Sequence, residues 1–253
     1  MKRIIYAAAA VAMITANIVA EGDEKISLLG SIGFGAGIGG NVYSSDDATK
    51  PSAETKYFNY GKGLKFDFGA RFGLADNLKA QADFDISFNV PKLEIVNKPI
   101  ATTTETTKFS SSMFGIKAKI IPEFEFLELI NMYTGVGIGL YWGTFKYESK
   151  TSTTIGSITT SSEREGKFVA APSLGLSGFL GADFPLSSKL TLFGELGFDA
   201  VSFRWKKEVV EKSPVASEVG TRNYEKDDPN NLPPPKVPAS NWQLRVGVRM
   251  GVL

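Results

Sequence analysis

The sequence predicts an all-β fold, an eight-stranded antiparallel up-and-down transmembrane β-barrel, and three observations carry that prediction. Apolar residues alternate with period two along eight segments, and the connections between segments are short and long in turn. The face opposite the apolar one is made of glycine, serine and a balanced set of charges.

The first twenty residues stand apart. Met1-Lys2-Arg3 is a short basic start, followed by an apolar run from Ile4 to about Ile14 and small residues up to Val19-Ala20. Polar Glu21-Gly22-Asp23-Glu24 comes next. This is the layout of a secretory signal peptide over residues 1–20, with the mature chain starting at Glu21. A retained anchor or a buried helix is the competing reading, but the apolar run has roughly half of the ~20 residues a spanning helix needs.

The strands follow in order. Ile26, Leu28, Ile32, Phe34, Ala36 and Ile38 share a face, against Ser27, Ser31, Gly33, Gly35, Gly37 and Gly39. Phe58, Tyr60, Leu64, Phe66, Phe68, Ala70, Phe72 and Leu74 oppose Lys65, Asp67, Gly69, Arg71 and Gly73. Leu78 to Val90 alternates against Lys79, Gln81, Asp83, Asp85, Ser87 and Asn89. Phe114 to Ile120 opposes Gly115, Lys117 and Lys119, and Met132 to Trp142 opposes Tyr133, Gly135, Gly137, Gly139 and Tyr141. Phe168, Ala170, Leu174, Leu176, Leu180, Ala182 and Phe184 read as one strand, and Leu190 to Phe198 opposes Glu195 and Asp199. The last segment sets Trp242, Leu244, Val246, Val248, Met250 and Val252 against Gln243, Arg245, Gly247, Arg249 and Gly251.

Tight joints at Asp76–Leu78 and Pro185–Ser188, and a longer one at Pro122–Leu129, alternate with four long polar loops at about 44–56, 91–108, 146–166 and 206–240. Strict alternation describes a single domain, 21–253, with every long loop at one end. Matching faces across a three-residue turn at Asp76–Leu78 puts Arg71 opposite Asp83, so an Arg71–Asp83 contact is expected. Register across the long loops is not fixed by the sequence, so the partners of Arg245 and Arg249 stay open, with Glu195 and Asp199 on the neighbouring strand as natural choices.

Alternation alone also fits a soluble barrel with its apolar face inside. The polar face decides between them. It carries Lys65, Arg71, Lys79, Lys117, Lys119, Arg245 and Arg249 against Asp67, Asp83, Asp85, Asp183, Glu195 and Asp199, set among glycines suited to a narrow interior. A Lys or Arg facing mid-bilayer would cost roughly 2–4 kcal/mol, and the seven together would exceed the ~5–15 kcal/mol stability of a typical protein. The polar face is therefore read as the lumen, where these charges form a structural ion-pair network, and the apolar face as the lipid side. Trp142, Trp205 and Trp242 fall where strands meet long loops, the place of an interfacial aromatic girdle; Phe72, Tyr133 and Phe184 mark the short-turn end.

Composition excludes much chemistry. The 253 residues carry 28 Lys+Arg against 27 Asp+Glu, with no Cys and no His. Nucleic-acid binding has no basic excess behind it. A Ser-His-Asp triad, a thiol nucleophile and His- or Cys-ligated metals are impossible. Gly35-Ala-Gly37-Ile-Gly39-Gly40 has a GxGxxG spacing, but without a following helix it offers no phosphate cradle. Asp83/Asp85 and Glu195/Asp199 could form an acid/base pair, yet basic lumen neighbours favour structural ion pairing. Asp46-Asp47 and Asp227-Asp228 have no compelling Ca²⁺ spacing. The hydroxyl-rich stretches at 102–107 and 151–162 read as mobile, and the Pro-rich 227–238 as extended polyproline II. No catalytic residue, metal site or cofactor is expected.

Gly-alternating strands such as Tyr133-Thr-Gly-Val-Gly-Ile-Gly-Leu, over a span from Ile26 to Leu253, resemble the OmpA/OmpX-type barrels of the bacterial outer membrane β-barrel domain family. The resemblance implies the outer membrane of a diderm bacterium, with outer-membrane lipid and the barrel assembly machinery as partners. The family usually ends on an outward aromatic residue, whereas Leu253 is out of phase with Val252. A monomer with a structural and surface-interaction role (adhesion or membrane integrity) is expected, its four extracellular loops meeting any extracellular ligand. The alternative is a narrow porin-like channel for ions or small solutes, and an enzyme is the least supported class.

Overall fold

The computed structural model describes residues 26–45, 54–89, 93–100, 102–127, 130–224 and 236–252. Residues 1–20, expected to be a signal peptide, most of the Pro-rich 227–238, Asp46-Asp47 and Asp227-Asp228 lie outside them. The described residues form fifteen strands: β1 (Ser27–Gly37), β2 (Asn41–Ser45), β3 (Glu54–Phe58), β4 (Gly63–Ala75), β5 (Leu78–Phe88), β6 (Leu93–Ile100), β7 (Thr103–Leu127), β8 (Ile130–Ile155), β9 (Ile158–Ala170), β10 (Ser173–Pro185), β11 (Leu190–Ala200), β12 (Ser202–Lys212), β13 (Gly220–Asn223), β14 (Lys236–Pro238) and β15 (Asn241–Gly251).

Eight of them close a ring, in the order β1, β4, β5, β7, β8, β10, β11, β15, and β15 pairs back onto β1 from Ser27↔Gly251 to Gly37↔Asn241. All ring pairings are antiparallel. These are the eight expected segments, closed as a meander. The shortest ring strands have 11 residues, which meets the ~9–11 that a tilted strand needs to cross a bilayer.

Side chains fall on the two sides as the transfer argument requires. Val136, Ile138 and Leu174 on the outer surface are 68 %, 62 % and 78 % exposed, whereas Lys65 and Lys117 inside are 1 % exposed. Glycines on the inner face make room for large neighbours. A Cβ on Gly139, Gly115 or Gly175 would meet the Tyr141 ring at 2.7, 2.8 and 2.9 Å, so these three positions together form the slot that admits it.

Four expectations change. First, the β4–β5 turn holds two residues, with Ala75 opposite Leu78, and a bulge at Leu74 shifts the rest. Arg71 therefore faces Gln81, and Asp83 faces Gly69. Second, the Phe168–Phe184 segment is broken at Ala171-Pro172. The register against β8 moves by one residue there, from Thr144↔Val169 to Tyr141↔Ser173. A one-residue shift exchanges the faces, so Phe168 and Ala170 join the interior while Leu174 onward face out. Third, Phe58 and Tyr60 precede the turn before β4 and lie buried inside, out of phase with Leu64 to Phe72.

Fourth, the connections at 91–108 and 146–166 are paired strand. β7 and β8 run 25 and 26 residues, about twice the spanning length, and their upper halves continue above the ring. β6 pairs with upper β7, β9 with upper β8, β12 with β9 and β13 with β12. The outcome is a sheet of order β6-β7-β8-β9-β12-β13 that extends one side of the barrel wall as a canopy. The hydroxyl-rich stretches lie within it: Thr103 pairs Thr153, Thr107 pairs Ser149 and Thr154 pairs Thr159. Loop-like composition concealed strands because their hydroxyls satisfy one another, as at Thr103–Thr153 (3.2 Å) and Thr107–Ser149 (3.1 Å). In the 44–56 and 206–240 connections, β2 pairs β3, and β14 pairs the start of β12.

Candidate functional site

The lumen is filled in layers. At the short-turn end Ile121, Tyr133 and Phe179 pack together and Arg71 lies over the Tyr133 ring, 4.6 Å from its centroid. Arg71 also reaches Glu123 (3.6 Å), Asp183 (3.7 Å) and Glu195 (3.8 Å), while Lys79 pairs with Glu123 and Arg249 with Asp183. The sequence assigns Tyr133 to the short-turn girdle; its hydroxyl instead donates to Glu195 at 2.9 Å inside the barrel.

In the next layer Arg245 bridges two carboxylates, donating to Asp67 at 2.9 Å and to Glu195 at 2.5 Å. Lys119 pairs with Asp83 at 2.5 Å. Gln81 accepts from Arg71 Nε at 2.7 Å and donates to Asp83 at 2.9 Å, so the expected Arg71–Asp83 contact is made through an intermediary. Above it, Lys117 lies 3.3 Å from Asp199 and 3.5 Å from Asp85, and Lys65 lies 3.4 Å from Asp199. The Tyr141 hydroxyl donates to Asp199 at 3.3 Å and Ser31 donates to Asp67 at 3.3 Å.

Among the described residues the inventory balances: seven cations (Lys65, Arg71, Lys79, Lys117, Lys119, Arg245, Arg249) face seven carboxylates (Asp67, Asp83, Asp85, Glu123, Asp183, Glu195, Asp199). Asp199 takes Lys65 and Lys117, whereas Arg245 takes Glu195 and Arg249 takes Asp183. Sequence reasoning missed Glu123, which follows Pro122 in a joint read as a turn. It also missed the hydrogen-bonding roles of Gln81, Tyr133 and Tyr141, which depend on register.

At the other mouth an apolar plug covers this network. Phe58, Tyr60, Met113, Phe145, Val201, Phe203, Val237 and Ala239 are buried together above Tyr141. Phe58 and Phe145 meet edge to face at 4.6 Å, and Tyr60 and Phe203 at 5.2 Å. β12 supplies Phe203 by folding over the mouth, with β14 clamped to it at Phe203↔Val237. Its mark in the sequence is weak: Met113, Phe145, Val201, Phe203 and Val237 lie just outside the alternating segments, and Phe58 and Tyr60 read as members of one.

Trp142 stacks on Phe114 at 4.8 Å and 7° on the outer surface, and Trp242, 53 % exposed, lies 5.7 Å from Phe198. Trp205 is different. The β12 bulge between Trp205 and Lys207 places it on the inner face of the canopy, stacked on Phe168 at 4.0 Å and 16°, so it belongs to the plug and not to an outer girdle.

The canopy has its own electrostatics. Buried Glu208 accepts from Tyr147 at 2.8 Å and from Tyr224 at 3.2 Å. Burial, then the bond to Glu208, pushes the Tyr147 phenol up to about 12. On the outer face, Lys212 beside Glu163 and Lys167 beside Glu211 hold both carboxyls below the usual range. Among the described residues no cluster of acidic side chains is arranged to hold a metal ion. The GxGxxG glycines run from β1 into the turn at Gly39, with no helix after them.

No family model matches the chain, and no curated protein matches it. Solved structures do. A major outer membrane protein from Thermus thermophilus aligns with a TM-score of 0.52 at 14 % identity, over 91 % of this chain and 100 % of that one. Neisserial surface protein A aligns at 0.43 and 12 % identity, over 90 % and 97 %. Ail, the attachment invasion locus protein of Yersinia pestis, aligns at 0.33 and 10 % identity, again over 90 % and 97 %. Identities this low speak to the fold alone, and the Thermus alignment carries that point. With its closed eight-strand ring and outward apolar band, the chain has the fold of a small outer-membrane β-barrel.

Proposed function

We propose that this protein is a non-enzymatic, monomeric outer-membrane barrel of a diderm bacterium, exported by its signal peptide, with a structural and surface-interaction role. The observation that supports this best is the filled lumen. Seven paired cations and an apolar plug occupy the volume that a channel would need, and an eight-stranded ring has room for little beyond its own side chains. What the barrel holds out is the canopy, a paired sheet that takes up the 91–108 and 146–166 connections and part of 206–240, and any extracellular ligand would meet it there. Outer-membrane lipid and the barrel assembly machinery are the remaining partners on this reading.

The test is electrical. Refolded protein in a planar bilayer should give no steady conductance. Stable ohmic openings would favour the narrow porin-like channel in its place.

A further inference from the structure

The outer wall above the girdle carries charges segregated by height. Outward residues form rows across β7, β8, β9 and β12. The lowest row is the stacked pair Phe114 and Trp142; the next is Ser112, Thr144, Val169 and Lys207; the third is Ser110, Lys146, Lys167 and Val209. Only in the fourth row do Glu148 and Glu165 appear, with Lys108 and Lys212 at its ends. The rows nearest the membrane thus hold Lys146, Lys167 and Lys207, with no carboxylate in either row; Glu211, from a second β12 bulge between Val210 and Lys212, pairs with Lys167.

Two details make this a site. Lys146 and Lys167 stand directly opposite each other, an arrangement of like charges that destabilises a sheet. Higher up, Lys150 and Lys212 have Glu163, whereas among the described residues no carboxylate forms a close ion pair with Lys146 or Lys207, and Glu211 acts on Lys146 only at longer range. Beside Lys146 there is also a groove of about 510 Å³, where β5 stops pairing with β7 at Phe88 and β6 takes over from Leu93. Phe88 forms its apolar wall, and Ser110, Ser112 and Thr144 contribute hydroxyls.

We propose that this groove seats the phosphate-bearing headgroup of an anionic lipid from the leaflet on the canopy side. Lys146 in the groove neutralises the phosphate, Lys207 adds positive charge from two strands away, the three hydroxyls donate to the phosphate, and an acyl chain runs down along Phe88, Phe114 and Trp142. The inference rests on the membrane-barrel reading, because only there do the two lower rows lie at headgroup height. An anionic surface attracts each nearby lysine by about 1 kcal/mol, close to five-fold in affinity.

The test uses the full chain refolded into phosphatidylcholine vesicles with a minor fraction of brominated phosphatidic acid. Quenching that disappears in Trp142→Phe reports lipid beside Trp142. Phosphatidic acid should be preferred over phosphatidylcholine there by at least about five-fold. The preference should fall to near one in Lys146→Gln/Lys207→Gln and persist in Lys150→Gln, whose lysine already has a carboxylate. Orthophosphate at matched ionic strength should not displace the lipid; full displacement would mean a soluble-phosphate site and overturn the assignment. A barrel that inserts with no preference for phosphatidic acid would sink this inference and leave the barrel reading intact. A chain that fails to insert into any vesicle would remove both.

Discussion

Gln81 stands directly opposite Arg71 across the β4–β5 hairpin and accepts a hydrogen bond from its guanidinium at 2.7 Å. The pairing exists because one extra residue, Leu74, is accommodated next to the turn, moving Asp83 one step from Arg71. The Gln81 amide, an acceptor on one side and a donor on the other, then joins the two charges. Gln81→Leu keeps the volume but leaves Arg71 Nε and Asp83 each short of a buried partner. At roughly 1–3 kcal/mol for an orphaned buried polar group, the urea midpoint of the vesicle-inserted barrel should drop clearly. An unchanged midpoint would mean that the amide bridge carries no weight.

Arg245 holds two carboxylates from opposite flanks, Asp67 and Glu195, and all three are almost wholly buried. Arg245→Met takes the nearest cation from both, leaving Glu195 with Arg71 at 3.8 Å and Asp67 with Lys117 at 4.0 Å, and the loss of one member of a buried pair costs about 3–5 kcal/mol. Adding Glu195→Gln and Asp67→Asn removes the stranded charges, so the triple variant should recover part of the loss. Equal destabilisation of the single and triple variants would rule out charge burial as the cause.

The ring is legible in the sequence because period-two alternation with glycine on one face leaves little freedom in which side meets lipid. Even the lumen charges can be named before their partners are known. The partners cannot, since pairing depends on register: the bulge at Leu74 carries no compositional mark, and Pro172 marks a break without telling that the register moves by one residue across it. The canopy is hidden for a different reason. Thr, Ser, Lys and Glu dominate it because both faces meet water along much of its height, so the hydrophobic alternation that marks a half-buried strand is missing. Proximity to a strand end assigns Trp205 to the girdle, and that criterion cannot detect a bulge.

Tyr147 offers a pH test of the canopy. Its phenol is raised to about 12 from an ordinary value of 10.0, so the folded sheet holds that proton more tightly than the unfolded chain does. The associated stability is fully present below pH 10 and is lost as pH rises through about 12. The tyrosinate difference spectrum between wild type and Tyr147→Phe should show this residue ionising late. Glu208→Gln, which withdraws the negative acceptor, should bring it earlier. A Tyr147 that titrates near its ordinary value in the wild type would contradict its burial against Glu208.

Phe203 tests whether the lumen is closed once or twice. It is fully buried at the centre of the upper plug, against Tyr60 at 5.2 Å, and truncating a buried Phe to Ala costs about 3–5 kcal/mol. Phe203→Ala should therefore lower the unfolding midpoint substantially. It should not open the barrel, because two ion-pair layers lie beneath the plug, Lys117 with Asp199 and below it Arg245 with Glu195, and together they fill the ring. Planar-bilayer recordings of the variant should stay silent, with access of small quenchers to Trp205 increased. Steady current through Phe203→Ala would show that the aromatic plug alone seals the lumen, and that the ion pairs under it form a wettable path.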